Sequence, residues 1–433
     1  MRRRATCALT TGVALVLVTA PVARAAPGDL DPTFGGDGVV RTDLTPTEDH
    51  GFAVTIQPDG KIAVAGTKGI GGPNPRFAIA RYETDGSLDT TFGGGDGKVS
   101  IDFTPSLDFP YAVRIQADGK IVVAGAAGYD GGNSRFALAR LTSDGSLDAT
   151  FGGDGTVMTN VTPSYDFANG MALQPNGDIV VVGSLSAGSS NGKIGVLRYR
   201  SDGSLDPTFG GDGIVRTDPT PTYDDGYAVG VEADGQIVVA GGAGIAGPNE
   251  RLVALAYEHD GSLDPTFGGD GMVFTDLTPK TDIPLALAIQ NDGRIVVAGG
   301  AAQDGPDPKF GLVRYLRDGS LDPSFNGDGM VITNVTPHAD GAYGVAIDPD
   351  GRIVAAGTAG DGGPAPRFGT VRYLADGTPD PTFGGDGTVT TNLTSGFDSA
   401  WSVAIQSDGS VVCSGVAGSG GPHASFAVLR YQP

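Results

Sequence analysis

Phe209-Gly210-Gly211-Asp212-Gly213 runs into Ile214-Val215-Arg216-Thr217-Asp218, and this junction returns along the whole chain. It begins at Phe34, Phe92, Phe151, Phe209, Phe267, Phe325 and Phe383, with successive gaps of 58, 59, 58, 58, 58 and 58 residues. A constant period of this size marks a repeat architecture, in which each copy buries its faces only against its neighbours. Seven copies fill nearly all of the 433 residues and leave no room for a second domain.

One copy reads as four short β-type runs. Ile214–Asp218 is run D, and a loop containing Thr-Pro leads to run A, residues 227–232. Asp234-Gly235 turns the chain into run B, residues 236–241, and a Gly/Pro-rich loop leads to run C, residues 252–257. Asp-Gly between two β-rich runs is the strongest short-range hairpin signal. It recurs from Asp59-Gly60 to Asp408-Gly409, with Asn176-Gly177 in one copy. No segment after residue 25 shows sustained helical periodicity. Runs B and C, such as Ile121-Val-Val-Ala124 and Phe136-Ala-Leu-Ala139, are apolar on both faces, so each sheet must be sandwiched between others. Four-stranded antiparallel sheets packed face to face are propeller blades. The first run, Val39–Asp43, is a D run and the last, Phe426–Tyr431, is a C run. A ring resolves this phase mismatch, because the amino-terminal strand completes the last blade. The expected fold is therefore all-β: a seven-bladed β-propeller with four antiparallel strands per blade.

Residues 1–25 read as a secretory signal peptide. Arg2, Arg3 and Arg4 precede an apolar stretch from Ala5 to Ala20, and Ala23-Arg24-Ala25 fits a small-x-small cleavage pattern. The apolar run is short for a membrane span, which needs roughly 20 residues. The propeller is then residues 26–433, secreted, with no membrane span after cleavage and expected as a monomer. Loss of four arginines takes the formal net charge from −22 to −26. Such acidity argues against nucleic acid and anionic membranes as partners. Cys413 is then the one cysteine left, in an apolar run where it reads as a buried small hydrophobe.

Several motifs recur in order in every copy, among them Gln116-Ala-Asp-Gly-Lys-Ile-Val-Val-Ala-Gly125, Phe136-Ala-Leu-Ala-Arg140 and Asp144-Gly-Ser-Leu-Asp148. In these the chain, from about residue 28 onward, resembles the bacterial delta-sixty repeat, a propeller-type repeat. The resemblance implies the fold and a bacterial surface or secreted setting, and no activity. By analogy with propellers, run A lines the central channel and run D lies outermost. The A–B and C–D connections then share one face and are nearly uniform, which reads as scaffold. The D–A and B–C loops share the other, and the B–C loops differ among copies. Variable loops on a rigid scaffold are where binding resides.

Three sets of residues on or near that face are candidates. Every copy has an aspartate just before run A: Asp49, Asp108, Asp166, Asp224, Asp282, Asp340 and Asp398. Seven carboxylates around a channel mouth would raise one another's pKa unless a hard cation such as Ca²⁺ compensated. The alternative is structural: turn capping, or pairing with the arginines of run C, Arg81, Arg140, Arg198, Arg314, Arg372 and Arg430, which read as buried. Ala256 stands in that series, which would make Asp224 the exception. The second set opens run A: Phe52, Tyr111, Asn169, Tyr227, Leu285, Tyr343 and Trp401. The aromatic members, Tyr111, Tyr227, Tyr343 and Trp401 above all, are suited to stacking on sugar rings or to packing between blades. Third, Arg114 stands where other copies carry Thr, Ala or Gly, and suits either an anion or a nearby Asp.

Nothing reads as a catalytic arrangement. His50, His259, His338 and His423 occupy different repeat positions. The functional expectation is a non-catalytic binding propeller that engages an extracellular protein or glycan through the D–A and B–C loops. The alternative is a metal-dependent hydrolase or lyase at the channel mouth, using the aspartates with His50 or His338.

Overall fold

Short β-rich runs separated by tight turns give 28 strands in seven four-stranded antiparallel sheets, with no helix among the described residues. The computed structural model describes residues 25–129, 132–187, 191–245, 250–421 and 423–433. All of the expected signal segment except Ala25 lies outside the described residues. Blade 1 runs from the inside outward as Glu48–Ile56, Ile62–Ile70, Arg76–Tyr82 and Lys98–Ile101. Blades 2 to 6 repeat this order. Each first strand contacts the first strands of both neighbouring blades, in one closed cycle, so these seven strands surround the axis.

Blade 7 is composite. Phe397–Ile405, Val411–Ser419 and Ser425–Tyr431 are completed by Val39–Thr42, which pairs antiparallel with the last strand from Val39↔Leu429 to Thr42↔Phe426. The amino-terminal strand thus covers an open sheet edge that would otherwise remain a site for aberrant pairing.

The core lies between the blades. Ile62, Ala63, Val64 and Ala65 are all fully buried, although consecutive side chains point to opposite faces. Ala63, Ala65, Phe77 and Ile79 of blade 1 pack against Val113, Ile121 and Val123 of blade 2. Each full burial of such a large side chain stabilises by about 1.5–3 kcal/mol. Tyrosines pin blade to blade: Tyr199 and Tyr315 bond Thr159 and Thr275 on the outer strand of the preceding blade, at 2.8 and 2.6 Å. Cys413 is fully buried, and burial pushes its thiol up to about 12.

The arginines of the third strands do not pair with the aspartates before the inner strands. Arg314 Nε donates to Asp322 Oδ2 (2.8 Å), its Nη1 to the carbonyl of Ala375 in the next blade (2.5 Å), and its guanidinium lies 4.5 Å from the centre of the Phe325 ring. The same arrangement joins Arg81 to Asp89 and Phe92, and Arg198 to Asp206 and Phe209. The recurring Ser-Leu-Asp and Phe-Gly segments therefore house the arginines, on the hairpin face. At Ala256 the polarity reverses: Arg317 of blade 5 reaches back to Glu232 (2.6 Å) and to Asp234 in blade 4. Asp224 is not left unpartnered by Ala256, because its partners are of another kind.

Candidate functional site

All seven inner strands carry a β-bulge at the same place. The pairing register with the second strand skips one residue between Gly51 and Ala53, Pro110 and Ala112, Ala168 and Gly170, Gly226 and Ala228, Pro284 and Ala286, Ala342 and Gly344, and Ala400 and Ser402. The skipped residues are Phe52, Tyr111, Asn169, Tyr227, Leu285, Tyr343 and Trp401, the set singled out from the sequence. A bulge leaves its extra residue unpaired and re-aims its side chain. Here it releases one side chain per blade, and all seven stay half-buried.

A glycine in every second strand makes room for the bulge. A Cβ at Gly66, Gly125, Gly183 or Gly357 would lie 2.0, 2.0, 1.6 or 1.8 Å from a carbonyl oxygen of the bulged strand. The recurring Val-Ala-Gly of run B is thus a steric requirement of the bulge and not a turn signal.

The bulge residues meet across blades. Tyr343 stacks on Trp401 with ring centres 4.9 Å apart, Trp401 meets Phe52 edge to face at 5.4 Å, and Phe52 meets Tyr111 at 5.5 Å. The arc continues through residues that the sequence reading missed. Phe109 lies 6.3 Å from Tyr111 and 5.6 Å from Tyr129, which lies 5.1 Å from Phe167. Tyr129 comes from a variable B–C loop and is 42% exposed. The signal that could have found the others is positional. Two residues before each bulge stand His50, Phe109, Phe167, Asp225, Ile283, Gly341 and Ser399, six residue types in seven copies.

Blades 3 and 4 add a polar corner. Asp225 accepts hydrogen bonds from Asn169 Nδ2 (3.1 Å), Tyr223 OH (3.3 Å) and Ser184 Oγ. Burial pushes the Asp225 carboxyl up to about 6, against the pull of the bonds from Ser184 and Tyr223. Burial also raises the phenols of Tyr223 and Tyr227, and the adjacent Asp225 charge adds to this. The hydroxyl and amide donors of this corner are thus turned onto one buried carboxylate, Asp225, and Asn169 Nδ2 also donates to the Gly226 carbonyl (2.9 Å).

The seven repeated aspartates occupy a different position. Each is almost fully buried, and its carboxylate faces its own loops. Asp49 accepts from Leu44 N (2.7 Å), Thr45 N (2.8 Å), Thr45 Oγ1 (2.8 Å) and Gly69 N (2.9 Å). Asp108, Asp166, Asp282, Asp340 and Asp398 repeat the four bonds. Asp224 makes three of them, because Pro219 has no N–H to offer. The aspartate therefore ties the Thr-Pro loop to the start of the B–C loop. Among the described residues no group of three or more His, Cys, Asp or Glu side chains is placed to hold a metal ion.

His50 bonds Glu48 (3.1 Å) and meets the Phe52 ring, and burial lowers its pKa. His338 is exposed on a D–A loop. Arg114 lies on the inner strand of blade 2, three residues beyond Tyr111, and its Nη1 donates to the Val113 carbonyl (2.9 Å).

Six segments of the chain, residues 57–92, 116–151, 174–209, 232–267, 290–325 and 349–383, match the domain of unknown function (DUF5122) beta-propeller. Each runs from the end of an inner strand through the second and third strands to the phenylalanine that ends the repeat. No curated protein matches the chain in sequence. Among solved structures, virginiamycin B lyase from Staphylococcus aureus is similar at 10% identity and a TM-score of 0.50, covering 91% of this chain and 99% of its own. A polysaccharide lyase, the PL25 ulvan lyase, is similar at 15% identity and 0.48, covering 87% and 93%. The periplasmic gluconolactonase of Pseudomonas aeruginosa is similar at 16% and 0.46, covering 80% and 87%. At these identities the likeness is one of fold.

Proposed function

We propose that this chain, a seven-bladed β-propeller carrying the DUF5122 repeat domain, is a secreted binding module that holds a glycan within its central channel. The observation that carries the reading is the ring of bulge residues, with Tyr343, Trp401, Phe52 and Tyr111 in continuous contact. Half-buried aromatic faces beside a few fixed polar groups are the general make-up of a small-ligand site. Aromatic planes suit the C–H faces of sugars, and Asn169, Asp225 and Tyr223 suit their hydroxyls. The rings stand midway along the inner strands, Phe52 being fifth of nine in Glu48–Ile56. That depth favours a narrow oligosaccharide over a broad protein surface. Arg2–Arg4 and the apolar segment after them support export.

Trp401 is the only tryptophan, so its fluorescence reports on the ring of bulge residues directly. Titration of residues 26–433 with a panel of neutral and acidic oligosaccharides is expected to give a saturable change in emission. Tyr343→Ala or Tyr111→Ala removes one stacking face and should weaken binding by about 1 kcal/mol, roughly fivefold, with circular dichroism unchanged. An emission that no member of the panel alters, with calorimetry equally silent, would sink the proposal.

A further inference from the structure

Arg114 is the only Lys or Arg in the seven inner strands. At the corresponding register the other blades place Thr55, Ala172, Gly230, Ala288, Ala346 and Ala404. The charge therefore occurs in one blade only, on an inner strand whose partner across the sheet, Val122, is fully buried. The buried arginines of the third strands each have a carboxylate: Arg81 has Asp89, Arg314 has Asp322, and Arg430 has Asp31. Arg114 is half-buried on an inner strand and has none among the described residues. Its one hydrogen bond goes to a backbone carbonyl of its own strand. Burial with no charge partner holds its pKa below the ordinary value. A guanidinium partly taken from water without a counter-ion is unfavourable, and six of the seven blades do without one at this register.

We infer that Arg114 is an anion subsite inside the channel, and that the ligand of this face is an acidic glycan whose carboxylate reaches it. The inference rests on the proposed binding role and names its ligand class. Arg114 lies three residues past Tyr111 on one strand, about 10 Å further down the channel at roughly 3.3 Å per residue. A sugar stacked at the Tyr111 and Phe52 faces would therefore carry its acid group inward, one to two units from the stacked ring. The Nε and Nη2 atoms of Arg114 make no hydrogen bond among the described residues, and their geometry fits the two oxygens of a carboxylate. In a chain of net charge −22 a sugar acid would have little reason to enter the channel without this cation.

The test compares tetragalacturonate with its fully methyl-esterified form, the same sugar without charge, by Trp401 fluorescence and calorimetry. Citrate, matched in ionic strength by sodium chloride, serves as a small-anion probe of the thermal midpoint. Expected are binding of the acid at least about 30-fold tighter than the ester, loss of that preference in Arg114→Gln, and partial retention in Arg114→Lys. Citrate is expected to raise the midpoint of the wild type more than that of Arg114→Gln. Equal binding of acid and ester, unchanged by Arg114→Gln, overturns the anion subsite and leaves the glycan site standing. A citrate effect that needs Arg114, with neither sugar bound, keeps the subsite and overturns the glycan reading. Neither effect overturns both.

Discussion

Asp49→Asn decides whether the repeated aspartates clamp loops or await a cation. Oδ2 of Asp49 takes the N–H groups of Leu44 and Thr45 at 2.7 and 2.8 Å. Oδ1 takes Thr45 Oγ1 and Gly69 N–H at 2.8 and 2.9 Å. An asparagine keeps the shape, turns one oxygen into a donor that faces donors, and removes the charge that strengthens the remaining bonds. Hydrogen bonds to a charged group contribute about 1.5–3 kcal/mol each, and the side chain is fully buried. Water at the loop surface recovers part of the loss, so the expected cost is about 3–5 kcal/mol. Unfolding entropy of about 2.1 cal/mol/K per residue over roughly 400 residues is about 0.8 kcal/mol/K, which makes the midpoint fall about 4–6 °C. Scanning calorimetry of wild type and variant, each in EDTA and in millimolar Ca²⁺, measures this. The expected result is the same fall in both buffers and no effect of Ca²⁺ on the wild type. A bound cation at about 100 times its Kd would instead add about 2.7 kcal/mol, or about 3 °C, to the wild type alone. The clamp is refuted by a variant within 1 °C of wild type, or by a Ca²⁺-dependent gain that the variant lacks.

Asp225 has a folded pKa of about 6 against an ordinary 3.8, so the native state holds its proton more tightly than the unfolded chain. That stability is complete below about pH 4 and is lost as pH rises through 6, about 3 kcal/mol in all. Asp225→Asn lacks this loss, so calorimetry should show the variant gaining about 3–4 °C on the wild type between pH 4 and pH 7; a parallel pair of curves would reject the assignment. Gly183→Ala places a Cβ 1.6 Å from the Phe167 carbonyl oxygen, and with backbone as the obstacle the cost should reach about 3 kcal/mol, read as a lower urea midpoint. An unchanged midpoint would mean the bulge yields. Arg314→Ala leaves the buried Asp322 carboxylate to Arg294 (3.1 Å) and Ser324 and loses the charged bonds of the guanidinium. It should cost about 2–3 kcal/mol in the same assay, whereas a loss below about 1 kcal/mol would deny the pair a structural role.

Strand pattern, blade number and ring closure were legible because they depend on local periodicity and on the phase of the repeat. Apolar runs such as Ile121–Ala124 demand cover on both faces, and a chain that starts with a D run and ends with a C run pairs its ends. The site was legible only in part. Phe52, Tyr111, Tyr227, Tyr343 and Trp401 stood out as a recurring aromatic column, yet nothing local marks that column as the bulge. The glycine opposite it, Gly66 in blade 1, lies in the neighbouring strand and acts by close approach. Arg81 and Asp89 are only eight residues apart, and their partnership was obscured because Asp49 offered an equally regular carboxylate.

Sequence alone determined what repetition and burial determine: seven blades, their order, the closing strand and the uniform and variable faces. Only the tertiary structure decided what each repeated polar residue is for. An aspartate reads the same whether it caps a loop, as Asp49 does, holds a buried arginine, as Asp322 does, or sits in a channel corner beside tyrosines, as Asp225 does. The difference lies in which donors face the carboxylate, and those donors come from other strands and other blades, at distances that no one-dimensional spacing encodes.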